Sequence, residues 1–173
     1  MRKKRKRILI NVIRYLSANN IKVDEYIEKN PFPKKPFEIR GSEEFLEAVK
    51  FNKYDLVVEA VKKDKRYLYQ FDYNKQTCFH WSAKLGYDKL LRFLCENGSQ
   101  LNSYDRKMRT PIFLATIFDQ VKCIEILLEF GANAYISDIN GKKPIDVVIS
   151  NKARNVLNYA VEKPYNDIYN KSK

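Results

Sequence analysis

The chain has 173 residues, 45% hydrophobic and 31% charged, which is enough for one domain with a real core and incompatible with wholesale disorder. Its net charge of +12 predicts attraction to acidic partners, whether nucleic acid, an anionic membrane or an acidic protein surface. No apolar run reaches the ~18 residues of a membrane helix. Three cysteines and a single histidine leave a zinc site almost without ligands, and the odd, widely spaced cysteines fit reduced thiols.

Residues 1–37 read as a basic helix followed by a proline-rich linker. The first 18 residues contain no acidic side chain and open with Arg2, Lys3, Lys4, Arg5, Lys6 and Arg7. Such a start fits a nuclear localisation patch, a nucleic-acid arm, a mitochondrial transit peptide or a solvated charge cluster ahead of a helix. Residues 5–18 predict a helix with Ile8, Leu9, Val12, Ile13 and Leu16 on one broad face. It is either a cap for the first repeat or a recognition helix for a partner groove. The stretch PFPKKPFE from Pro31 is a linker that no helix crosses.

From Ile39 onward the chain repeats itself. A step of 33 residues takes Asp72 to Asp105 and Asp105 to Asp138, Thr77 to Thr110, Pro111 to Pro144 and Gly98 to Gly131. Between these marks the apolar period is helical. Leu90, Leu91, Phe93 and Leu94 share one stripe, as do Val121, Ile124, Ile126, Leu127 and Leu128. Thr77 and Thr110 are placed to cap helices, and Pro111 and Pro144 suit a first helical turn. Gly98 and Gly131 stand where a C-terminal glycine is free to take a positive φ. Each unit therefore predicts a turn and two short helices. The same step matches Phe45 with Cys78 and Val57 with Leu90, which adds an earlier unit. Val156 and Leu157, 66 residues after Leu90 and Leu91, add a last one. The units run over about 39–71, 72–104, 105–137 and 138–162, and residues 163–173 form a polar tail.

The segments TCFHWS from Thr77, TPIFLA from Thr110 and KPIDVV from Lys143 each approximate Thr-Pro-Leu-His-x-Ala. At these residues the chain resembles the ankyrin repeat family, whose signature that is. The resemblance implies an all-α solenoid of stacked helix–turn–helix units. It implies that His80 is structural, tying adjacent units by hydrogen bonds, and it leaves Trp81 open between core packing and the concave face. It also says which positions usually touch partners: the turn tips and the inner side of each first helix. Carried over, these are Phe71, Tyr73, Asn74, Gln76, Lys84 and Leu85 in the second unit. The third unit supplies Tyr104, Arg106, Lys107, Arg109, Ile117 and Phe118, and the fourth Ser137, Ile139, Asn140 and Lys142. Lys75 and Met108 replace the turn glycine that Gly141 keeps, so distorted turns are expected there.

No Cys–His–acid arrangement recurs, and five glycines form no phosphate loop. The expectation is a non-catalytic adaptor or structural subunit with no cofactor, no metal and no small-molecule substrate. It would bind an acidic protein surface through its concave face within a larger cytoplasmic assembly, such as a cytoskeletal or ciliary one. A nucleic-acid-associated protein held by the basic arm is the alternative, with nucleus and mitochondrion both open.

Overall fold

The computed structural model describes Ile39 and residues 41–162. The basic arm, the helix expected over residues 5–18, the proline linker and the tail 163–173 lie outside the described residues. Within them the chain is all-helical, with seven α-helices and no strand. The helices are α1 (Ser42–Lys50), α2 (Tyr54–Lys63), α3 (Cys78–Leu85), α4 (Asp88–Asn97), α5 (Pro111–Ile117), α6 (Val121–Glu129) and α7 (Asn151–Glu162). Two short 3-10 turns, Lys65–Tyr69 and Pro144–Asp146, complete the order.

The helices stack in two rows. α1, α3, α5 and the Pro144–Asp146 turn form the first row; α2, α4, α6 and α7 form the second. Each element touches its neighbour in the row and its own hairpin mate. The buried sides of both rows share one core, in which Phe45, Phe79, Ile112, Leu91, Ile124 and Leu127 are fully enclosed. Burying each such side chain is worth roughly 1.5–3 kcal/mol, so the apolar stripes of the helices are what hold the stack together.

The first unit departs from the expected step. Between the helices of each of the first three units lies one residue in the left-handed region: Asn52 (φ 49°), Gly86 (71°) and Asp119 (52°). The next residue in each case has nearly the same ψ, 71° at Lys53, 70° at Tyr87 and 72° at Gln120. The step from the first unit to the second is therefore 34, and from the second to the third 33. Phe45 corresponds to Phe79, not Cys78, and Val57 to Leu91, not Leu90; all four of these matched side chains are buried. The step returns to 33 at Leu68 and Leu101, both buried. The additional residue is absorbed in the 3-10 turn Lys65–Tyr69, where a tighter helix accommodates it without disturbing either row.

Two further expectations need correction. Gly131 takes the positive φ, at 87°, but Gly98 is extended at −159°. Gly98 is a glycine for space: a Cβ there would lie 2.8 Å from Leu68 Cδ1. In the fourth unit the first helix shrinks to the turn Pro144–Asp146. The β-branched run Ile145, Val147, Val148 and Ile149 lowers its helix propensity. Asp146 Oδ2 accepts from the Lys143 N–H at 2.8 Å, which closes the turn locally.

Candidate binding face

The turns that join the units share one construction. Asp72 Oδ1 accepts from the N–H groups of Asn74 and Gln76, both at 2.9 Å. Asp105 Oδ1 accepts from Lys107 and Arg109 at 2.8 and 3.0 Å, and Asp138 Oδ1 from Asn140 and Lys142, both at 2.9 Å. A side chain that accepts from residues two and four positions on fixes a tight turn, which is why aspartate recurs at the step. Each turn also needs a left-handed residue. Lys75 and Met108 adopt it at φ 59°, beside Gly141 at 75°. The three turns are thus alike; substitution of glycine strains them without distorting them. Neighbouring turns are linked through backbone, Arg106 N–H to Asn74 O at 2.9 Å and Ile139 N–H to Lys107 O at 3.0 Å.

The second carboxylate oxygens of Asp72 and Asp105 do different work. Asp72 Oδ2 accepts from Trp81 Nε1 at 3.0 Å and lies 3.9 Å from Lys50 Nζ. Trp81 packs partly on the core, and its indole edge is tied to the turn of its own unit. Asp105 Oδ2 accepts from Gln76 Nε2 at 3.2 Å and from the Arg109 guanidinium at 2.6 and 2.9 Å. Burial alone would raise the Asp105 carboxyl; the hydrogen bonds from Arg109, Gln76 and Lys107 outweigh it and hold the group below the usual carboxylate range.

His80 stands at the third position of α3. The Thr77 N–H donates to its Nδ1 at 3.1 Å, so Nε2 carries the proton and donates to Arg109 O at 3.0 Å. The imidazole therefore caps its own helix and bonds the next unit with one ring. Burial, with the backbone carbonyl of Arg109 opposing it, holds its pKa below the ordinary value. Thr110 accepts from the Phe113 N–H at 3.4 Å, and Pro111 opens α5 as its first residue. Pro144 is buried in the short turn of the fourth unit. Cys78, Cys95 and Cys123 are unpaired and buried, and burial pushes each thiol up to about 12, which removes the thiolate that nucleophilic chemistry requires.

The positions carried over as partner-contacting differ in exposure. Phe71, Tyr73, Tyr104, Arg106, Lys107, Phe118 and Ile139 are exposed, Tyr73 most of all at 79%. Lys84 and Ile117 are half-buried. Gln76 is a correction: it is only 4% exposed, and its amide is spent on Asp105. Arg109 is half-buried with its guanidinium held by Asp105. Arg106 Nε donates to Tyr73 O, which steadies one exposed turn against the next.

Two residues on this face escape the 33-residue step. With the first unit set at 34, Lys50 corresponds to Lys84 and Ile117, and Phe51 to Leu85 and Phe118. Lys50 and Lys84 each place Nζ 4.7 Å from the Trp81 ring centre, and Lys84 lies 5.2 Å from that of Phe118. The line Lys50, Trp81, Lys84, Phe118 thereby crosses two unit boundaries. A step allowed to vary by one residue would have found it.

The family model for ankyrin repeats (3 copies) matches residues 45–140, more than half of the chain. The chain belongs to the ankyrin repeat family. Similar curated proteins include the E3 ubiquitin-protein ligase Ufd4 of Drosophila melanogaster, 32% identical over 71 residues, 41% of this chain and 2% of that protein. Target of rapamycin complex 2 subunit AVO2 of Saccharomyces cerevisiae is 28% identical over 74 residues, 42% of this chain and 17% of its own length. Rabankyrin-5 of Mus musculus is 28% identical over 101 residues, 51% of this chain and 9% of its own. The chain spans less than a fifth of each of these relatives. Ankyrin repeats are protein–protein interaction modules, and among the described residues no helix is long and apolar enough to cross a membrane.

Proposed function

We propose that the protein is a non-catalytic adaptor or structural subunit that binds an acidic protein surface through the concave side of its repeats, as part of a larger assembly. One observation carries the reading: the exposed aromatic side chains Phe71, Tyr73, Tyr104 and Phe118 lie among Lys84, Arg106 and Lys107, across turns that backbone bonds fix to one another. Aromatic rings and arginine are the residue types that dominate binding hot spots, and a rigid platform spares the entropy of ordering them. The net charge of +12 supports an acidic partner. Buried unpaired thiols fit a reducing compartment, and the cytoplasm is the location proposed.

Salt dependence tests the reading against nucleic-acid binding by the arm. Phosphate contacts make log affinity fall by about 0.7–0.9 per neutralised phosphate for each unit of log salt. Affinity for the protein partner should fall less steeply, because buried contacts are screened less than exposed charges. A steep slope abolished by deletion of residues 1–7 would favour the nucleic-acid alternative.

A further inference from the structure

The first row of helices carries more than the turn tips supply. At the end of each first helix two ladders run side by side from unit to unit. One is apolar and exposed: Phe51 at 56%, Leu85 at 37% and Phe118 at 45%. The other is basic: Lys50 and Lys84, at matching positions of the first and second units.

The two lysines differ in an informative way. Lys50 has a carboxylate within reach, Asp72 Oδ2 at 3.9 Å. Lys84 is half-buried between the rings of Trp81 and Phe118, and among the described residues no carboxylate forms an ion pair with it. Aromatic faces attract a cation but leave its charge uncompensated toward solvent. The Trp81 indole is itself held by Asp72, so the ring that both ammonium groups face is fixed in place before any ligand arrives.

We propose that this double ladder is the docking site for a short acidic segment of a protein partner. A carboxylate of the segment pairs with Lys84 and a second lies toward Lys50. Apolar side chains beside those carboxylates rest on Phe51, Leu85 and Phe118. Neighbouring packed helices lie roughly 8–10 Å apart, so the site repeats at the distance covered by about three extended residues. A nucleic acid suits it less well: its phosphates recur at closer intervals than one cation per unit, and the apolar ladder offers them nothing. The fourth unit ends the site, because its first helix stops at Asp146. This inference rests on the proposed protein-binding function and names the kind of segment that the inner side of the first helices takes.

The test uses the full chain, immobilised, against a phage-displayed library of random peptides and, separately, a single-stranded oligonucleotide. Selected peptides should combine Asp or Glu with adjacent apolar residues. Their affinity should fall about tenfold or more in Lys84→Glu and be recovered when the peptide acid is exchanged for lysine, as expected for a directly paired charge. The same peptides should tolerate Lys122→Glu, an exposed charge on α6 in the second row. Peptides that ignore Lys84 but require Tyr104 and Arg106 would overturn the ladder site and leave the broader function standing. No peptide enriched, or an oligonucleotide held through Lys84, would overturn both.

Discussion

Gln76 and Asp105 meet across the boundary of the second and third units, amide to carboxylate at 3.2 Å. The same aspartate holds two backbone N–H groups and the Arg109 guanidinium, so one buried side chain closes a turn, neutralises an arginine and joins two units. Replacing Asp105 with Ala leaves these donors unpaired in a buried setting, at a cost of about 2–4 kcal/mol. Asp138→Ala removes the same turn bonds where water can replace them and should cost about 1 kcal/mol or less. Urea unfolding of the two variants measures the difference; equal losses would show that burial of Asp105 contributes nothing.

Lys75 and Met108 hold left-handed turns that glycine enters without steric cost. The strain is about 1–2 kcal/mol per residue, offset by the greater entropy glycine gives the unfolded chain. Lys75→Gly and Met108→Gly should each stabilise by about 0.5 kcal/mol, and Gly141→Ala should destabilise by about 1 kcal/mol. Thermal unfolding reads all three. Destabilisation in both glycine variants would mean that these side chains contribute more than their strain removes.

His80 gives a pH dependence with a defined sign. Its folded pKa lies below the ordinary 6.5 because the ring is buried neutral. As pH falls through 6.5 the unfolded chain binds a proton that the folded one resists, so stability present above that value is lost below it. Unfolding midpoints should fall from neutral toward mildly acidic pH, and His80→Gln should flatten that slope. Asp105, whose carboxyl is held below its usual 3.8, adds a separate loss only in stronger acid. His80→Ala at neutral pH should cost about 1–3 kcal/mol through the orphaned Arg109 carbonyl and Thr77 N–H. A slope unchanged in His80→Gln would remove His80 as its source.

Gly98 and Gly131 separate two reasons for a glycine. Gly98→Ala places a methyl against Leu68 and should cost about 1–3 kcal/mol, relieved in part by Leu68→Ala in the same chain. Gly131→Ala meets nothing within 4 Å and costs only its backbone conformation, about 1 kcal/mol, with no relief from Leu68→Ala. A double-mutant cycle checks both; additive effects at Gly98 and Leu68 would contradict the contact.

The repeat was legible in the sequence because turn chemistry is local. Three aspartates at one step announce three similar turns, since a carboxylate can close such a turn only from a fixed position. The apolar stripes were legible for the same reason. The first unit was harder. Its added residue sits in a 3-10 turn between helices, where neither periodicity nor turn chemistry marks it, and a rigid step misplaced Phe45 and Val57 by one. Lys50 and Phe51 were lost with them. Gln76 looked like a surface residue because its burial depends on a partner 29 positions away, a distance no local pattern spans. The shortened fourth unit was hidden by Pro144 and Ile145, which keep the signature while the residues after them do not sustain a helix.

The most direct measurement is capture of the partner by three forms of the full chain: the native protein, the triple variant Tyr104→Ala/Arg106→Ala/Phe118→Ala, and a deletion of residues 1–7. All three substituted side chains are exposed, so the variant should fold, which circular dichroism verifies. Binding through the repeat face predicts that the triple variant loses the partner, each site costing on the order of 1–2 kcal/mol, while the deletion retains it. A triple variant that keeps its partner beside a deletion that loses it would contradict binding through the repeat face.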